Sequence, residues 1–248
     1  MTTSVAVVGA SGRLGRVVCD LVRGSDAFQL EAELGSSSSL DEMLAADVIV
    51  DVTHPTVSRD VVDFAVRHGR KVLVGSSGWS AERIESLRGT VAAHEGAAVV
   101  VIPNFSLGSV LASAFAATAS RFFDSIEIVE AHHAGKVDSP SGTAVRTAEL
   151  ISRARAERGP VEAPHVDQRA RGQQVASIPV HSLRMTGVVA EQTVLLGGVG
   201  ESLRITHSTL SSESYEAGIR VALAATRDAV GVTVGLEQLI DLGSSATG

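Results

Sequence analysis

The sequence predicts an α/β fold with two parts: a Rossmann-like, doubly wound parallel sheet and a smaller α+β domain with an open, largely antiparallel or mixed sheet. Short apolar runs alternate with helical segments as far as residue 104, which is typical of a parallel sheet covered by helices on both faces. A glycine-rich turn follows the first of these runs, as in many nucleotide-binding sheets. Strand-like runs with few helices then occupy residues 178–207, which indicates the second sheet.

The strands of the first sheet are predicted from apolar runs. Val5–Val8 contains only apolar residues, as expected for a central parallel strand buried on both faces. A helix is predicted after it over Arg16–Arg23, and helices also follow the third and fourth strands. Because ligands bind outside the carboxyl ends of such strands, the loops that follow them are the candidate binding segments. The later strands are predicted at Leu30–Leu34, Asp47–Val52, Lys71–Gly75 and Ala98–Ile102.

The glycine-rich turn lies between the first strand and the first helix. Glycines there let the backbone approach a pyrophosphate, and the N-terminus of the following helix favours its negative charge. The turn predicts a dinucleotide site formed by Gly9, Ala10, Ser11, Gly12, Arg13, Leu14 and Gly15.

The second domain is predicted to begin with a helix rich in small residues. Its predicted elements are a helix over Leu111–Phe122, a strand over Ser125–Glu130, a helix over Thr143–Arg155, an exposed loop over Arg155–Ala176, and strands over Ile178–Leu183, Val188–Leu196 and Ser202–His207. Tyr215–Val230 is then predicted to be helical, Val232–Leu242 is expected to close the structure, and the tail Gly243–Gly248 is expected to be disordered.

One stretch of the second domain concentrates the chemistry, where the first strand ends and the next helix begins. A helix N-terminus offers unpaired N–H donors and a positive dipole end, which suit a carboxylate or phosphate. An imidazole titrates near neutral pH and can supply a proton. The stretch predicts a site for an anionic small molecule that receives a proton, built from His132, His133, Lys136, Ser141, Gly142 and Thr143.

The pair His132 and His133 has two other interpretations, a structural pair and a metal site. An isolated pair at a strand end is more often hydrogen-bonded to backbone, but Lys136 and the Ser-Gly-Thr turn favour the functional interpretation. A metal site is disfavoured because adjacent strand residues point to opposite faces, and no nearby acid and third histidine complete a ligand set. We predict no metal.

Composition and charge exclude several classes of function. The formal charge of −7 argues against a nucleic-acid partner. The single cysteine, Cys19, excludes an internal disulfide and is predicted to be a buried, inert thiol. No apolar run is long enough to span a bilayer, and the N-terminus shows neither a basic n-region nor a cleavage site. We therefore expect a cytoplasmic protein with no membrane partner.

Four segments of the chain carry recognisable motifs. The segment between Glu130 and Ala144 contains Glu-x-His-His, Lys-x-Asp and Pro-Ser-Gly-Thr-Ala in that order. The other three are Val-Thr-His-Pro at Val52–Pro55, Gly-Ser-Ser-Gly at Gly75–Gly78 and Asn-Phe-Ser-Leu-Gly at Asn104–Gly108. With these motifs the chain resembles the 4-hydroxy-tetrahydrodipicolinate reductase family, also called dihydrodipicolinate reductases, whose last three segments read Phe-Thr-x-Pro, Gly-Thr-Thr-Gly and Asn-Phe-Ser-x-Gly. The resemblance implies reduction of 4-hydroxy-tetrahydrodipicolinate to tetrahydrodipicolinate with NADPH or NADH, in the diaminopimelate route of lysine biosynthesis.

The resemblance also implies an assembly and a domain plan. The family covers its open sheet by packing four subunits together, so a homotetramer is implied. The last segment of the chain returns to the nucleotide domain in the family. We therefore expect a dinucleotide-binding domain of residues 1–104 and 215–248 around a substrate-binding and oligomerisation domain of residues 105–214.

Residue roles follow from the same resemblance. His132 is the candidate general acid, and Lys136 is expected to stabilise developing charge and to bind a carboxylate. His133 and the donors of Ser141, Gly142 and Thr143 are expected to hold the substrate carboxylates. The nicotinamide end of the cofactor is expected to contact Thr53, Gly75, Ser76, Ser77, Pro103, Asn104 and Phe105.

The choice between NADH and NADPH depends on the end of the second strand. The family usually carries an acidic residue there, which binds the ribose hydroxyls. This chain has Gly35 followed by four serines, and Glu33 is the nearest acid. The missing carboxylate removes a repulsion against the 2′-phosphate of NADPH, and Arg13 offers a positive partner. We expect both cofactors to work, with NADPH slightly favoured.

The chain departs from the family pattern at two places, and two alternative functions stay open. Glu213 and Tyr215 stand where an arginine and a phenylalanine are common, which affects a hinge or interface contact, and Ala134-Gly135 replaces bulkier residues. The alternatives are a reductase of the same architecture acting on another cyclic imine or enamine, and a sensor that binds NAD(P)H without turnover. His54 is a further candidate near the nicotinamide loop. The histidines expected at the surface are His68, His94 and His165.

Overall fold

Two hydrogen-bonded sheets organise the chain in a computed structural model that describes residues 2–240. Each sheet belongs to its own unit. The first unit comprises the chain up to Leu107 and the chain from Tyr215 onward, and the second unit comprises Gly108–Ser214. The boundary thus follows Leu107, whereas the expected boundary followed Asn104.

The first unit contains a six-stranded parallel sheet, as predicted for a Rossmann-like fold. Its strands are β1 (Thr3–Val8), β2 (Phe28–Leu34), β3 (Val48–Asp51), β4 (Lys71–Val74), β5 (Ala98–Val101) and β11 (Gly231–Val234). The order across the sheet is β11-β5-β4-β3-β1-β2. The continuous apolar runs arise because the central strands are buried on both faces: every residue of β3 and β5 is buried.

Four helices flank this sheet: α1 (Arg13–Arg23), α2 (Pro55–Arg67), α3 (Ala81–Ala92) and α6 (Glu216–Arg227). Helix α1 packs with α6, and α2 packs with α3. The closing segment that was expected at Val232–Leu242 begins as β11, which pairs with β5 at the edge of the sheet. The end of that segment and the tail Gly243–Gly248 lie outside the described residues.

The second unit contains a five-stranded mixed sheet with the order β10-β9-β6-β8-β7. Its strands are β6 (Ser125–His133), β7 (Gln173–Val175), β8 (Ile178–Met185), β9 (Ala190–Gly198) and β10 (Glu201–Thr209). The β6–β8 pair is parallel and the other three pairs are antiparallel, so the predicted class of sheet is confirmed. Helices α4 (Leu107–Ala119) and α5 (Gly142–Ala154) pack on one face, where Ile126, Ile128, Ala148 and Ile151 join a buried cluster.

Several predicted boundaries in the second half of the chain were wrong. The strand predicted to end at Glu130 continues to His133, because β8 and β9 pair with its last residues. The helix predicted over Leu111–Phe122 begins and ends earlier, and the one predicted over Tyr215–Val230 ends at Arg227. The loop predicted to be exposed contains β7 and the buried residue Val161.

Cys19 is buried, and the three histidines expected at the surface differ in exposure. Burial, followed by the neighbouring Glu33, raises the pKa of the Cys19 thiol to about 11, as expected for an inert thiol. Of the histidines expected at the surface, His68 and His165 are exposed, but His94 is half-buried and its Nδ1 lies 2.8 Å from the carbonyl oxygen of Thr90. None of the helices within residues 2–240 has the length and apolar content needed to cross a bilayer.

Candidate active site

Two positions in the glycine-rich turn of the first unit, Gly9 and Gly15, leave no room for a side chain. Gly9 has φ +90°, and a Cβ on it would lie 2.8 Å from the carbonyl oxygen of Val52. A Cβ on Gly15 would lie 2.2 Å from the carbonyl oxygen of Gly9. The backbone therefore forms a tight turn between the ends of β1 and β3, at the carboxyl edge of the parallel sheet.

The same turn opens helix α1 without a side-chain cap. Gly12 is the N-cap residue and has no side chain to accept a hydrogen bond from the first turn of the helix. Arg16 instead donates from Nη1 to the carbonyl oxygen of Ser11, 2.7 Å away, and Arg13 is exposed. Crowded glycines and an uncapped helix N-terminus fit a pyrophosphate, because the backbone and not a side chain fills the space around it.

Gly35 lies in an exposed turn after β2. Its N–H donates to Oγ of Ser38 over 3.2 Å, and a Cβ on it would meet nothing within 4 Å. Glu33, the nearest acid, forms an ion pair with Arg23. The position where the family carries a carboxylate is thus open space bordered by serine hydroxyls.

The loops after β3, β4 and β5 meet at one point. A Cβ on Gly75 would lie 2.7 Å from the ring of Phe105 and 3.1 Å from the side chain of Val52. Phe105 is itself buried, and the helical Gly218 lies so close that a Cβ there would be 1.9 Å from the Phe105 carbonyl oxygen. Phe105 therefore packs between these loops.

The loop residues predicted to contact the cofactor differ in their exposure to solvent. Ser77 and Pro103 are exposed and Thr53 is half-buried, but the hydroxyl of Ser76 is buried. Asn104 accepts a hydrogen bond at Oδ1 from the backbone N–H of Ser106, 2.9 Å away, which fixes the turn after β5. Contact between Ser76 and a cofactor would therefore have to come from its backbone.

A buried carboxylate that the sequence interpretation missed lies beneath these loops. Asp51, the last residue of β3, is 0% exposed and accepts hydrogen bonds from the hydroxyls of Thr53, Ser58 and Ser76. His54, the further candidate, is the N-cap residue of α2 and accepts from the backbone N–H of Thr56.

In the second unit, a second buried carboxylate organises the candidate substrate site. Glu130 lies on the helix-covered face of β6 and its side chain is 0% exposed. Arg184 on β8 donates from Nη1 and Nη2 to its two oxygens, each over 3.0 Å. The backbone N–H of Ser141, at the start of α5, donates to Oε1 over 3.2 Å. One side chain thus joins two strands and a helix N-terminus.

Glu130 also orients the candidate general acid. Nδ1 of His132 lies 2.5 Å from Oε2 of Glu130, and because a carboxylate only accepts, the proton of this contact belongs to Nδ1. That leaves Nε2 as the nitrogen free for chemistry. The side chain of His132 is 15% exposed, so the ring is held from one side and accessible from the other.

The surroundings of Glu130 and His132 lower the pKa of both groups. Burial raises the pKa of Glu130, but hydrogen bonds led by Arg184 outweigh it and hold the pKa below the usual value of 4.5. Burial lowers the pKa of His132, and the positive charges of Lys136 and Arg184 lower it further against the opposing effect of Glu130. The imidazole is therefore a stronger acid than one in water.

Lys136 follows His133 in a tight turn, in which its N–H donates to the His133 carbonyl oxygen over 3.1 Å. Ala134 and Gly135 form the middle of this turn, so the small residues that depart from the family pattern close the loop here. Nζ of Lys136 lies 2.7 Å from Oδ1 of Asp138, and the lysine hydrogen bond lowers the pKa of that carboxyl.

The three residues of the Ser-Gly-Thr turn differ in what they offer a ligand. Ser141 is buried, its Oγ accepts from the N–H of Ala144, and its own N–H is taken by Glu130, so it is the structural member. Gly142 is exposed, and a Cβ on it would meet nothing within 4 Å. Thr143 is half-buried and His133 is exposed. In the described part of the chain no group of three or more His, Cys, Asp and Glu side chains could hold a metal ion.

Comparison with known proteins identifies the family. A family model described as "Dihydrodipicolinate reductase, N-terminus" matches residues 3–105, and one described as "Dihydrodipicolinate reductase, C-terminus" matches residues 108–240. The chain belongs to the dihydrodipicolinate reductase family.

Relatives and a solved structure agree with this family. The 4-hydroxy-tetrahydrodipicolinate reductase of Clavibacter sepedonicus is 63% identical over 245 residues, which cover 99% of this chain and 88% of that protein. The protein of the same name from Nocardia farcinica is 40% identical over 98% of this chain and 100% of its own length. A dipicolinate-bound dihydrodipicolinate reductase from Paenisporosarcina sp. TG-14 has a TM-score of 0.82 at 24% identity, covers 97% of this chain and 100% of its own, and shows the shared fold.

In this reductase-family chain, three residues important to the site were not given roles from the sequence: Asp51, Glu130 and Arg184. Two of them carry a visible signal. Asp51 ends an otherwise apolar strand, and Glu130 follows Ile126 and Ile128 on the buried face of its strand. An acid in an apolar pattern indicates a buried, hydrogen-bonded carboxylate. Arg184 lies 54 residues from Glu130, and nothing in the local pattern indicates that the two pair.

Replacing Arg184 with methionine should destabilise the fold by about 3 kcal/mol, because it leaves the buried Glu130 carboxylate without its bidentate arginine partner. The pKa of Glu130 is lower in the folded chain than its usual 4.5, so its contribution to stability is complete above that value and is lost as pH falls through the folded pKa. R184M should weaken this acid dependence. Urea unfolding at neutral and acidic pH measures both effects. R204M, on exposed β10, is the matched control, and equal losses in the two variants would contradict the role of Arg184.

Proposed function

We propose that the protein reduces 4-hydroxy-tetrahydrodipicolinate to tetrahydrodipicolinate with NAD(P)H, in the diaminopimelate route of lysine biosynthesis. The observation that carries the proposal is the His132–Glu130 pair beside Lys136 and the α5 N-terminus, in a chain that belongs to the reductase family. A cyclic dicarboxylate that receives hydride needs a proton donor and cationic or N–H partners for its carboxylates.

The glycine turn and the N-terminus of α1 are the proposed pyrophosphate site. The loops after β3, β4 and β5, with Thr53, Gly75, Ser77 and Asn104, are the proposed contacts of the nicotinamide end. The bound cofactor supplies the hydride. The N-cap Gly12 has no side chain to accept from the first-turn N–H groups of α1, which leaves these donors for a ligand and supports this assignment.

His132 is the proposed proton donor to the enamine-like charge that hydride arrival leaves on the substrate ring. Its Nδ1–H is held by Glu130, so a proton leaves from Nε2. As Nε2 loses that proton the ring becomes neutral, and the hydrogen bond to Glu130 keeps it in the same orientation for reprotonation. The lowered pKa favours release of the proton.

Lys136 is proposed to bind a substrate carboxylate and to stabilise negative charge as it forms. An ammonium group has three N–H donors, so Asp138 occupies one direction and leaves two. The first-turn N–H groups at Gly142 and Thr143, with His133, are proposed to bind the carboxylates. Two anchored carboxylates fix which ring face is turned toward the hydride.

The direct test mixes the purified protein with 4-hydroxy-tetrahydrodipicolinate and either NADPH or NADH, and follows loss of the reduced-nicotinamide absorbance. Rapid oxidation that depends on the substrate is the expected result. Cofactor binding without oxidation would overturn the proposal in favour of another imine substrate or a sensor.

Replacing Lys136 with alanine should lower kcat by about a hundredfold to a thousandfold, as expected for loss of a charge-stabilising group. The dissociation constant for NADPH should stay within about twofold, because Lys136 lies in the second unit and the cofactor residues lie in the first. Steady-state kinetics and calorimetric titration measure the two quantities. R153A, which removes an exposed charge from the far end of α5, is the control and should keep full turnover. Unchanged kcat in K136A would contradict a catalytic site here.

Replacing His132 with asparagine should remove the pH dependence as well as the rate. The acid form is the protonated imidazole, and burial lowers its pKa below 6.5, so kcat/KM should decline as pH rises through a value below 6.5. Asparagine can still donate to Glu130 but cannot titrate, so H132N should lose about a hundredfold or more in rate and show no such decline. H133N should keep the decline, since His132 is intact. A declining limb that persists in H132N would assign the proton to another group.

Replacing Gly35 with aspartate should shift cofactor choice toward NADH. A Cβ at this position meets open space, so the new carboxylate enters without a clash and repels the 2′-phosphate. The ratio of kcat/KM for NADPH to that for NADH should fall about tenfold or more, which corresponds to a repulsion of about 1.4 kcal/mol. G89D places the same charge in open space on α3 and should leave the ratio unchanged. An unchanged ratio in G35D would move the 2′-phosphate site elsewhere.

We also propose that the chain forms a homotetramer in the cytoplasm, where NAD(P)H is available. The sheet face opposite α4 and α5 supports this, because Leu183 and Met185 lie side by side on it and are 45% and 49% exposed. Covering such apolar side chains favours association. Light scattering should give the mass of four chains, and a monomeric mass would contradict the assembly.

A further inference from the structure

Asp51 is a fully buried carboxylate that the proposed mechanism does not use. It ends β3 in the middle of the parallel sheet and is 0% exposed. Within residues 2–240, no Lys, Arg or His side chain forms an ion pair with it. A carboxylate buried away from both water and cations is costly unless hydrogen bonds satisfy it, so its partners explain why it is there.

Four donors converge on the two oxygens of Asp51. Oδ1 accepts from the backbone N–H of Thr53 over 3.1 Å and from the Thr53 hydroxyl over 2.5 Å. Oδ2 accepts from the hydroxyl of Ser58. The hydroxyl of Ser76 lies 3.1 Å from Oδ2 and 3.0 Å from the carbonyl oxygen of Thr53, so its one hydrogen is shared between these two acceptors. The carboxylate therefore ties the loop after β3 to the loop after β4, and ties both to helix α2.

The direction of these bonds fixes what Thr53 can offer a ligand. A hydroxyl has one hydrogen and two lone pairs. Because the Thr53 hydroxyl donates its hydrogen to Asp51, Oγ1 has only lone pairs left for a second partner. Thr53 is half-buried, whereas Ser58 and Ser76 are buried, so Thr53 is the most exposed of the three residues whose hydroxyls bond to Asp51.

Ser58 shows the same direction on the far side of the carboxylate. The indole Nε1 of Trp79 donates to Oγ of Ser58 over 3.0 Å, and Ser58 donates in turn to Asp51. A run of donors that all point toward one carboxylate cannot reverse without breaking several bonds. Asp51 thus holds the polarity of the whole cluster.

We propose that Asp51 is a positioning residue for the cofactor: it fixes Thr53 Oγ1 as a hydrogen-bond acceptor for the carboxamide amino group of the nicotinamide. The inference rests on the proposed function, which assigns the loop after β3 to the nicotinamide end. The carboxamide is the N–H donor of the nicotinamide ring. An acceptor of fixed direction sets the rotation of that group and, through it, which ring face is presented.

The test compares binding of NADP⁺ with that of its 3-acetylpyridine analogue, in which a methyl group replaces the carboxamide amino group. No substrate or turnover is needed, and calorimetric titration gives both dissociation constants. The unsubstituted chain should bind NADP⁺ about three- to tenfold more tightly than the analogue, the usual worth of one hydrogen bond. In D51A no carboxylate oxygen remains to accept from the Thr53 hydroxyl, so Oγ1 is no longer fixed as an acceptor, and the ratio should fall to about one.

Asp47 provides the matched control at the opposite end of the same strand. It accepts from the backbone N–H and the hydroxyl of Ser4, over 2.9 and 2.8 Å, and is exposed. D47A should keep the unsubstituted ratio. The fluorescence of Trp79, the single tryptophan of the chain, should change in D51A and not in D47A, because only the Asp51 network reaches the indole.

A second pair of variants covers the case in which D51A does not fold. T53V removes the acceptor and leaves Asp51 its other three donors, so its ratio should fall to about one. T53S keeps the hydroxyl and should restore the unsubstituted ratio. A ratio near one in the unsubstituted chain, or a full ratio in T53V, overturns the inference. Either result leaves the proposed function standing if NADPH still reduces substrate, whereas absence of any dinucleotide binding defeats the proposed function first.

Discussion

The second unit of this protein depends on one buried interaction, that of the Glu130 carboxylate with Arg184, His132 and the N–H of Ser141. Desolvating a carboxylate is expensive, and here four hydrogen bonds offset that cost. The same bonds set the ring orientation of His132, the entry of the chain into α5 and the pairing of β6 with β8. Chemistry and architecture are therefore not separable at this point, since what holds the sheet and helix together also aims the imidazole.

The first unit repeats this physical device with a different chemical outcome. Asp51 is buried like Glu130, but its partners are hydroxyls and an amide, where Glu130 has an arginine and a histidine. The arginine-bound carboxylate stands beside His132, the proposed proton donor. The hydroxyl-bound carboxylate stands beneath loops that only have to keep their shape. In both units a buried carboxylate holds the neighbouring loop ends in place through hydrogen bonds.

The sequence was sufficient for the fold class, and the residues that it nominates for each candidate site all lie within one unit. Continuous apolar runs identified the parallel strands because burial on both faces leaves no alternation to misinterpret. The sequence did not predict features that depend on contacts with residues far away along the chain. The strand ending at His133 was predicted three residues too short, since pairing with β8 and β9, not local propensity, extends it. Likewise, Ser76 was expected to contact the cofactor, but its hydroxyl hydrogen-bonds inward, to Asp51 and to the Thr53 carbonyl oxygen.

The order of elements along the chain has a consequence for how the protein is made. Strand β5 has its outer neighbour in β11, and α6 packs against β4 and β5, yet both partners are encoded after the whole second unit. A ribosome therefore delivers an incomplete nucleotide unit, with one sheet edge bare, for as long as it takes to translate residues 108–214. During that interval the exposed edge of β5 is open to pairing with other chains. Helix α6 and strand β11, within residues 216–234, thus act as a closing step in biogenesis, although no candidate catalytic group lies among them.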